Sequence, residues 1–118
     1  MKQILFQDKE SGLNHVGILM DDGDVICGCC GGLVPADEVN EMVTIMEIYD
    51  KWISLDLLMD KMKQSDGKII NGCMNLERGK GANILMGDQW FHTSYVQDFY
   101  IVGGKVCIET ENTIYCTK

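Results

Sequence analysis

Short apolar runs separated by turn residues constrain the fold of this chain more than any other feature of its sequence. The stretches 2–6, 14–20 and 25–27 have the length and the apolar content of strands. Asp21-Asp22-Gly23-Asp24 separates the last two, and an Asp-Gly pair between apolar runs predicts a hairpin because glycine accepts a positive φ. The later runs expected to be strands are 68–70, 83–86, 90–96, 99–102, 105–109 and 113–117.

One segment has the spacing of a helix. Ser54 suits an N-cap, and the apolar residues from Leu55 to Met62 recur at helical intervals, so we expect a helix near 54–65. Regularly spaced short strands with a single helix are typical of a small barrel or sandwich. The predicted fold class is therefore α+β, mostly β: a small antiparallel barrel or sandwich. With 118 residues, we expect one domain over 1–118.

The stretch from Pro35 to Tyr49 fits two structures. Its apolar residues include a helical stripe, and proline suits a helix start. Its second half, from Val43, has the β-branched and aromatic content of a strand. We interpret this stretch as a strand that ends near Trp52.

No apolar stretch is long enough for a membrane helix of about 18 residues or for a secretory signal with an apolar core of about 7 to 15 residues. We therefore expect the protein in the cytoplasm, where thiols stay reduced. The six cysteines are accordingly interpreted as buried thiols or metal ligands.

Negative charge is concentrated in the first half of the chain. Residues 1–60 contain twelve Asp and Glu against three Lys, whereas residues 61–118 contain six acidic and seven basic residues. A negative surface repels nucleic acid and membrane phosphates and attracts basic protein surfaces. Simple solubility is the alternative explanation.

The segment Cys27-Gly28-Cys29-Cys30-Gly31-Gly32 has the form of a zinc knuckle. Two thiolates three positions apart can face one ion across a tight turn, and glycines let the backbone amides turn toward sulfur. We expect a structural zinc held by Cys27, Cys30 and Cys73, with Cys29 as a further candidate and the fourth ligand unassigned. The alternative is that these cysteines are small buried hydrophobic residues.

No motif for catalysis is present. The chain lacks H-E-x-x-H, G-x-S-x-G and the dinucleotide fingerprint, so we predict that it is not an enzyme. A nucleophilic pair such as Cys73 with His92 is the remaining catalytic alternative. The seven aromatic residues from Tyr49 to Tyr100 are expected in the core, with a role as interface anchors as the alternative.

The stretches Thr93-Ser94-Tyr95-Val96 and Thr110-Glu111-Asn112-Thr113-Ile114-Tyr115 resemble the last strands of small proteins of phages and mobile elements. The Cys-Gly-Cys-Cys-Gly-Gly segment is also similar to knuckles in such accessory proteins. The resemblance covers about residues 90–118 and implies a phage-type setting, in which small acidic proteins include inhibitors of host defence of the anti-CRISPR kind.

The predicted function is therefore inhibition of a basic host protein, such as a CRISPR nuclease, by stoichiometric binding without direct contact to nucleic acid or membrane. A zinc-stabilised regulatory or structural module is the second hypothesis, and a small-molecule binder or minor hydrolase is the third. The residues expected to contact the partner are Asp21, Asp22, Asp24, Asp37, Glu38, Glu41, Glu47 and Asp50.

Overall fold

The computed structural model describes residues 1–28, 31–49 and 52–117, apart from the side chain of Met74. Within these ranges the chain forms twelve strands and two helices. In chain order they are β1 Lys2–Asp8, β2 Asn14–Leu19, β3 Val25–Cys27, β4 Leu33–Val34, α1 Val39–Met42, β5 Val43–Tyr49, α2 Leu55–Gln64, β6 Asp66–Ile70, β7 Gly72–Met74, β8 Gly81–Met86, β9 Gln89–Tyr95, β10 Asp98–Val102, β11 Lys105–Glu109 and β12 Thr113–Thr117.

The strands form three open sheets. The first has the order β4-β3-β2-β1-β5, the second β10-β11-β12-β6 and the third β7-β8-β9. Every pairing is antiparallel except that of β12 with β6, which is parallel. The prediction of a mostly β, α+β fold is confirmed in its sandwich form, since none of the sheets described here closes into a barrel.

The sheets pack around a main core to which all three contribute. Its buried residues include Leu5 and Val16 from the first sheet, Phe99 and Ile108 from the second, and Ile84 from the third. Side chains alternate between the two faces of a strand, so the neighbouring positions of β1 point the other way. They form a second cluster with the residue Val39 of α1.

Gln3 ties the first sheet to the second. This side chain is fully buried, and its amide makes two hydrogen bonds to the backbone of Ile101 in β10. Nε2 donates to the Ile101 carbonyl at 3.1 Å, and Oε1 accepts from the Ile101 amide at 3.0 Å. The side chain thus satisfies backbone groups on β10, which is an edge strand of its own sheet.

The stretch from Pro35 to Tyr49, which was interpreted as a strand, is a strand only in its second half. Glu38 accepts two backbone hydrogen bonds, from Glu41 at 3.1 Å and from Met42 at 3.0 Å, and the short helix α1 follows it. The backbone becomes extended at Val43, where the β-branched residues begin. β5 is described as far as Tyr49, and residues 50 and 51, which lie before Trp52, are outside the described residues. Segment 35–42 connects β4 to β5, and Val39 is its buried residue.

The predicted helix near 54–65 is confirmed as α2. Ser54 is its N-cap, since the Oγ atom accepts from the amide of Leu57 at 3.1 Å. Only part of the predicted apolar stripe is buried: Leu58 packs in a third cluster with Cys107 and Cys116, while Leu55 and Met59 are exposed. No helix within the described ranges is long and apolar enough to cross a membrane.

The aromatic residues are divided between core and surface. Phe99 and Tyr100 are buried as expected, whereas Trp52, Trp90, Phe91 and Tyr95 are exposed. The last three lie on β9, an edge strand whose residues are mostly exposed.

Candidate functional site: an acidic surface and a pocket

The hairpin between β2 and β3 presents three aspartates. Its turn is closed by backbone hydrogen bonds from Met20 to Asp24 at 2.8 Å and from Gly23 to Met20 at 3.0 Å. Gly23 has φ 97°, which explains the need for glycine at this position. The Asp22 side chain accepts from the Asp24 amide at 3.0 Å and so supports the turn. The predicted hairpin is confirmed.

A second acidic segment packs against this turn. The amide of Ala36 donates to Oδ1 of Asp24 at 2.8 Å. A Cβ atom placed on Gly23 would lie 3.1 Å from the Cβ of Ala36, so the two backbones are in close contact. Residues 37 and 38 follow directly, and Glu41 is the next acidic residue in the helix. Six residues thus define what we call the acidic surface: Asp21, Asp22, Asp24, Asp37, Glu38 and Glu41.

The charges of the acidic surface are only partly compensated. The ammonium of Met1 lies 2.6 Å from Oδ1 of Asp21, and this hydrogen bond, together with the positive charge, lowers the pKa of that carboxyl group. The ammonium of Lys9 donates to the carbonyl of Asn40 in α1. Among the described residues, the carboxylates of Asp37, Glu38 and Glu41 make no ion pair, so their charge faces solvent.

Glu47, which was predicted to contact the partner, lies elsewhere. It is opposite Leu5 in the sheet register, and Leu5 faces the main core, away from α1. Its Oε1 accepts from Nε of Arg78 at 2.8 Å, and Nη1 of Arg78 also contacts Asp98 at 2.8 Å. The charge of Glu47 is therefore compensated within the chain. The remaining predicted contact, Asp50, lies outside the described residues.

Two of the cysteines predicted to bind zinc are described. Cys27 belongs to the second cluster, and Cys73 belongs to the main core. Cys29 and Cys30 lie outside the described residues. In the part of the chain that the structure describes, no group of three or more His, Cys, Asp or Glu residues is arranged to hold a metal. The other two cysteines, Cys107 and Cys116, face each other across β11 and β12, with the sulfur atoms 2.9 Å apart.

The alternative nucleophilic pair is not formed by the described residues. Cys73 is opposite Ile84 and is buried, whereas His92 is opposite Asn83, the adjacent position of β8. Adjacent positions of a strand point to opposite faces. Nδ1 of His92 instead lies 2.9 Å from the side-chain oxygen of Asn83 on the solvent side.

A pocket that the sequence analysis missed lies at the second cluster. Its volume is about 170 Å³, comparable to a cavity that holds one benzene-sized group. The lining is mostly apolar, with Asp8, His15 and Cys27 as the exceptions. The residues that line it are Phe6, Asp8, His15, Cys27, Gly32, Leu33, Val34, Met42 and Val43. The alternation of side chains along β1 predicts that Phe6 and Asp8 share a face of the strand. It does not predict which residues of the other elements complete the pocket.

His15 is the titratable ring in this pocket. Burial lowers the pKa of His15 below its ordinary value of 6.5, and the charge of Asp8 opposes that shift. Its Nδ1 atom is buried and has no hydrogen-bond partner among the described residues. The ring lies 5.6 Å from that of Phe6, which is directly opposite in the register of β1 and β2.

His15 is expected to make stability depend on pH. Because the unfolded imidazole takes up a proton more readily than the folded one, the free energy of unfolding should fall as the pH is lowered through 6.5 toward the lowered pKa. His15→Gln should remove this part of the dependence. Urea denaturation of both proteins from about pH 7.5 to about pH 5 measures it. The control is His92→Gln, and an equal effect of that substitution would contradict the assignment to His15.

The fold and the site together define a small, mostly β protein of three packed sheets, with an acidic surface beside an apolar pocket. Comparison with protein-family models, with curated proteins and with solved structures finds no match for the chain.

Proposed function

We propose that the chain is a cytoplasmic binding protein that inhibits a basic partner by stoichiometric contact through the acidic surface. The partner class that suits this surface best is a nucleic-acid-binding host protein such as a CRISPR nuclease. The single observation that carries the proposal is the packing of the 21–24 turn against Ala36, which directly precedes Asp37 and Glu38 and so joins two acidic segments into one surface.

Charge distribution supports the proposal. The other half of the molecule uses several of its cations in local ion pairs with carboxylates outside the acidic surface. Arg78 binds Glu47 and Asp98, and Lys61 binds Glu109. Carboxylates that remain exposed in one region produce a directional negative field.

A nuclease groove that holds nucleic acid is lined with Lys and Arg, and an acidic protein surface can obstruct it. Such contacts accelerate association more than they strengthen the final complex, because exposed charges act at long range. Full imitation of nucleic acid is not required, because residues 61–118 carry nearly balanced charge and the acidic surface is confined to the turn 21–24 and the segment that carries α1.

The test is salt-dependent inhibition of a purified nuclease, with Cas9 loaded with guide RNA as the probe. We expect a 1:1 complex by light scattering, loss of DNA cleavage, and an association rate that falls by about tenfold or more between about 50 and 200 mM salt. Binding that does not change with salt, or no binding to Cas9 and to a second basic nuclease of another type, would contradict the proposal.

The proposal includes a structural zinc on the segment 27–30. The described part of this loop fits a knuckle, because its ends are held by hydrogen bonds from the amide of Cys27 to Gly32 at 2.9 Å and from Gly31 to the carbonyl of Cys27 at 2.8 Å. Gly31 has φ 75°, as a tight turn requires. Cys73, the other described cysteine of the predicted ligand set, lies in the main core.

Metal content is expected to depend on the predicted cysteine ligands. Native mass spectrometry of protein purified without added zinc should show one zinc per chain in the wild type and none in Cys27→Ser or in Cys73→Ala. Zinc retained in either variant would show that the ligands are different. A wild type that is free of metal would exclude the zinc site.

A further inference from the structure

The geometry points to the pocket beside α1 as a site for one arginine side chain of the basic partner. This inference rests on the proposed function and makes it more specific. It assigns an anchor residue to the partner and a receiving pocket to this chain.

The pocket combines apolar walls with one carboxylate that is held in place. Asp8 lines the pocket, and its Oδ1 accepts from the amide of Glu10 at 3.1 Å while Oδ2 accepts from the hydroxyl of Ser11 at 3.0 Å. Each carboxylate oxygen has two lone pairs, so both oxygens can accept a further hydrogen bond. A guanidinium group has the planar fork of donors that suits a carboxylate of fixed orientation.

The walls suit the rest of an arginine side chain. Leu33, Val34 and Met42 offer apolar surface for its three methylene groups, which prefer such contacts while the charged end stays near a polar group. The rings of Phe6 and His15 form another wall. Since burial lowers the pKa of His15, its ring is uncharged at neutral pH and does not repel a cation.

The protein already holds one of its own arginines in this way. The guanidinium carbon of Arg78 lies 4.4 Å from the ring centre of Phe99 and 5.5 Å from that of Tyr49. Two carboxylates, Glu47 and Asp98, bind it from the side. The pocket offers the same elements, aromatic rings and a carboxylate, without an arginine from this chain among its lining residues.

The position of the pocket joins it to the acidic surface. Met42, which lines the pocket, follows Glu41 directly, and Val34 precedes the segment that carries residues 37 and 38. The pocket therefore adjoins the α1 end of the acidic surface, and a basic segment bound to that surface can reach it with one side chain. Complementary charge favours arginine over an uncharged anchor, and the size of about 170 Å³ limits the occupant to one side chain.

The test uses short peptides and nuclear magnetic resonance. The peptide acetyl-Gly-Arg-Gly-amide is titrated into the folded protein, and the methyl signals of Leu33 and Met42 are followed. We expect saturable shifts at these signals with the arginine peptide. Binding should be about tenfold weaker with citrulline, which has the same shape without the charge, and weaker with lysine, which lacks the planar fork. Equal binding of a norleucine peptide, or no saturable shifts up to about 20 mM, would overturn the inference.

Two substitutions test whether the arginine peptide binds in this pocket. Asp8→Asn keeps an oxygen that can accept from the Glu10 amide but removes the charge, and it should weaken arginine binding about tenfold. Leu33→Lys adds a cation at the pocket and should weaken it as well. Its control is Ile69→Lys, which changes an exposed apolar residue of β6 and should have no effect. Unchanged binding in both pocket variants would overturn the site.

Failure of this inference can be told apart from failure of the proposed function. If the peptides do not bind but the nuclease does, with its salt dependence, the acidic surface acts without an arginine anchor. If the peptides bind as expected but no nuclease does, the pocket is an arginine site and the proposed partner class is wrong.

Discussion

The triple variant Asp37→Lys, Glu38→Lys, Glu41→Lys is expected to associate with the basic partner about 10- to 100-fold more slowly than the wild type. These three side chains are exposed and make no ion pair within the described residues, so their reversal changes six units of charge without removing a known contact. The measurement is the association rate by surface plasmon resonance at about 0.1 M salt, together with the nuclease assay. Asp22 and Asp24 are left unchanged because they support the hairpin turn and its contact with Ala36.

The matched control is the triple variant Asp60→Lys, Asp88→Lys, Glu111→Lys. It makes the same change in net charge at exposed positions outside the acidic surface, on α2 and on the turns before β9 and β12. We expect a small effect, because exposed charges farther away than the Debye length of about 8 Å are largely screened. If both variants slow association equally, net charge rather than the acidic surface governs binding. Thermal unfolding of both verifies that they remain folded.

The second large effect is expected for Gln3→Leu, which should lower the free energy of unfolding by about 2 to 5 kcal/mol. The substitution removes both hydrogen bonds to Ile101 and leaves a buried amide and a buried carbonyl on β10 without these partners. Leaving a buried polar group unsatisfied costs about 1 to 3 kcal/mol. Urea denaturation followed by circular dichroism and by tryptophan fluorescence provides the measurement.

The control for this substitution is Gln7→Leu on the same strand. The Gln7 side chain is half-buried and donates to the carbonyl of Gly12 at 3.0 Å near the chain's first turn. Water can replace that bond, so we expect a loss below about 1 kcal/mol. If both variants lose a similar amount of unfolding free energy, the hydrogen bonds between Gln3 and Ile101 contribute no more to stability than an ordinary side-chain contact.

Local signals in the sequence predicted the elements that depend on local chemistry. The serine cap of α2, the aspartate-glycine turn at residue 23 and the strand periods all appear in the structure. The four-residue helix α1 could not be recognised because one turn is too short to show a period, and β-branched residues follow it immediately. The parallel pairing of β6 with β12 joins segments that are far apart in sequence. No turn residues connect them directly, so no local pattern predicts the pairing.

The candidate site was predictable only in part. The two acidic segments were found from composition, but their contact depends on one hydrogen bond to Ala36 that no pattern reveals. Glu47 was grouped with them, whereas in the structure it pairs with Arg78, a contact that the sequence does not reveal. The pocket arises from β1, β2, β3 and the end of α1 together, and only the pairing register places Phe6 opposite His15.

The hydrogen bonds between Gln3 and Ile101 have a consequence for the order in which the protein folds. The two residues are separated by 98 positions, and each belongs to a strand that needs its own neighbours before it is fixed in place. Contacts of such separation form late, because the entropy of closing a long loop must be overcome before they stabilise anything. We therefore expect the Gln3 contact to form after the rate-limiting step of folding, so that its loss accelerates unfolding far more than it slows folding. The contact would then determine how long the folded protein lasts rather than how quickly it folds.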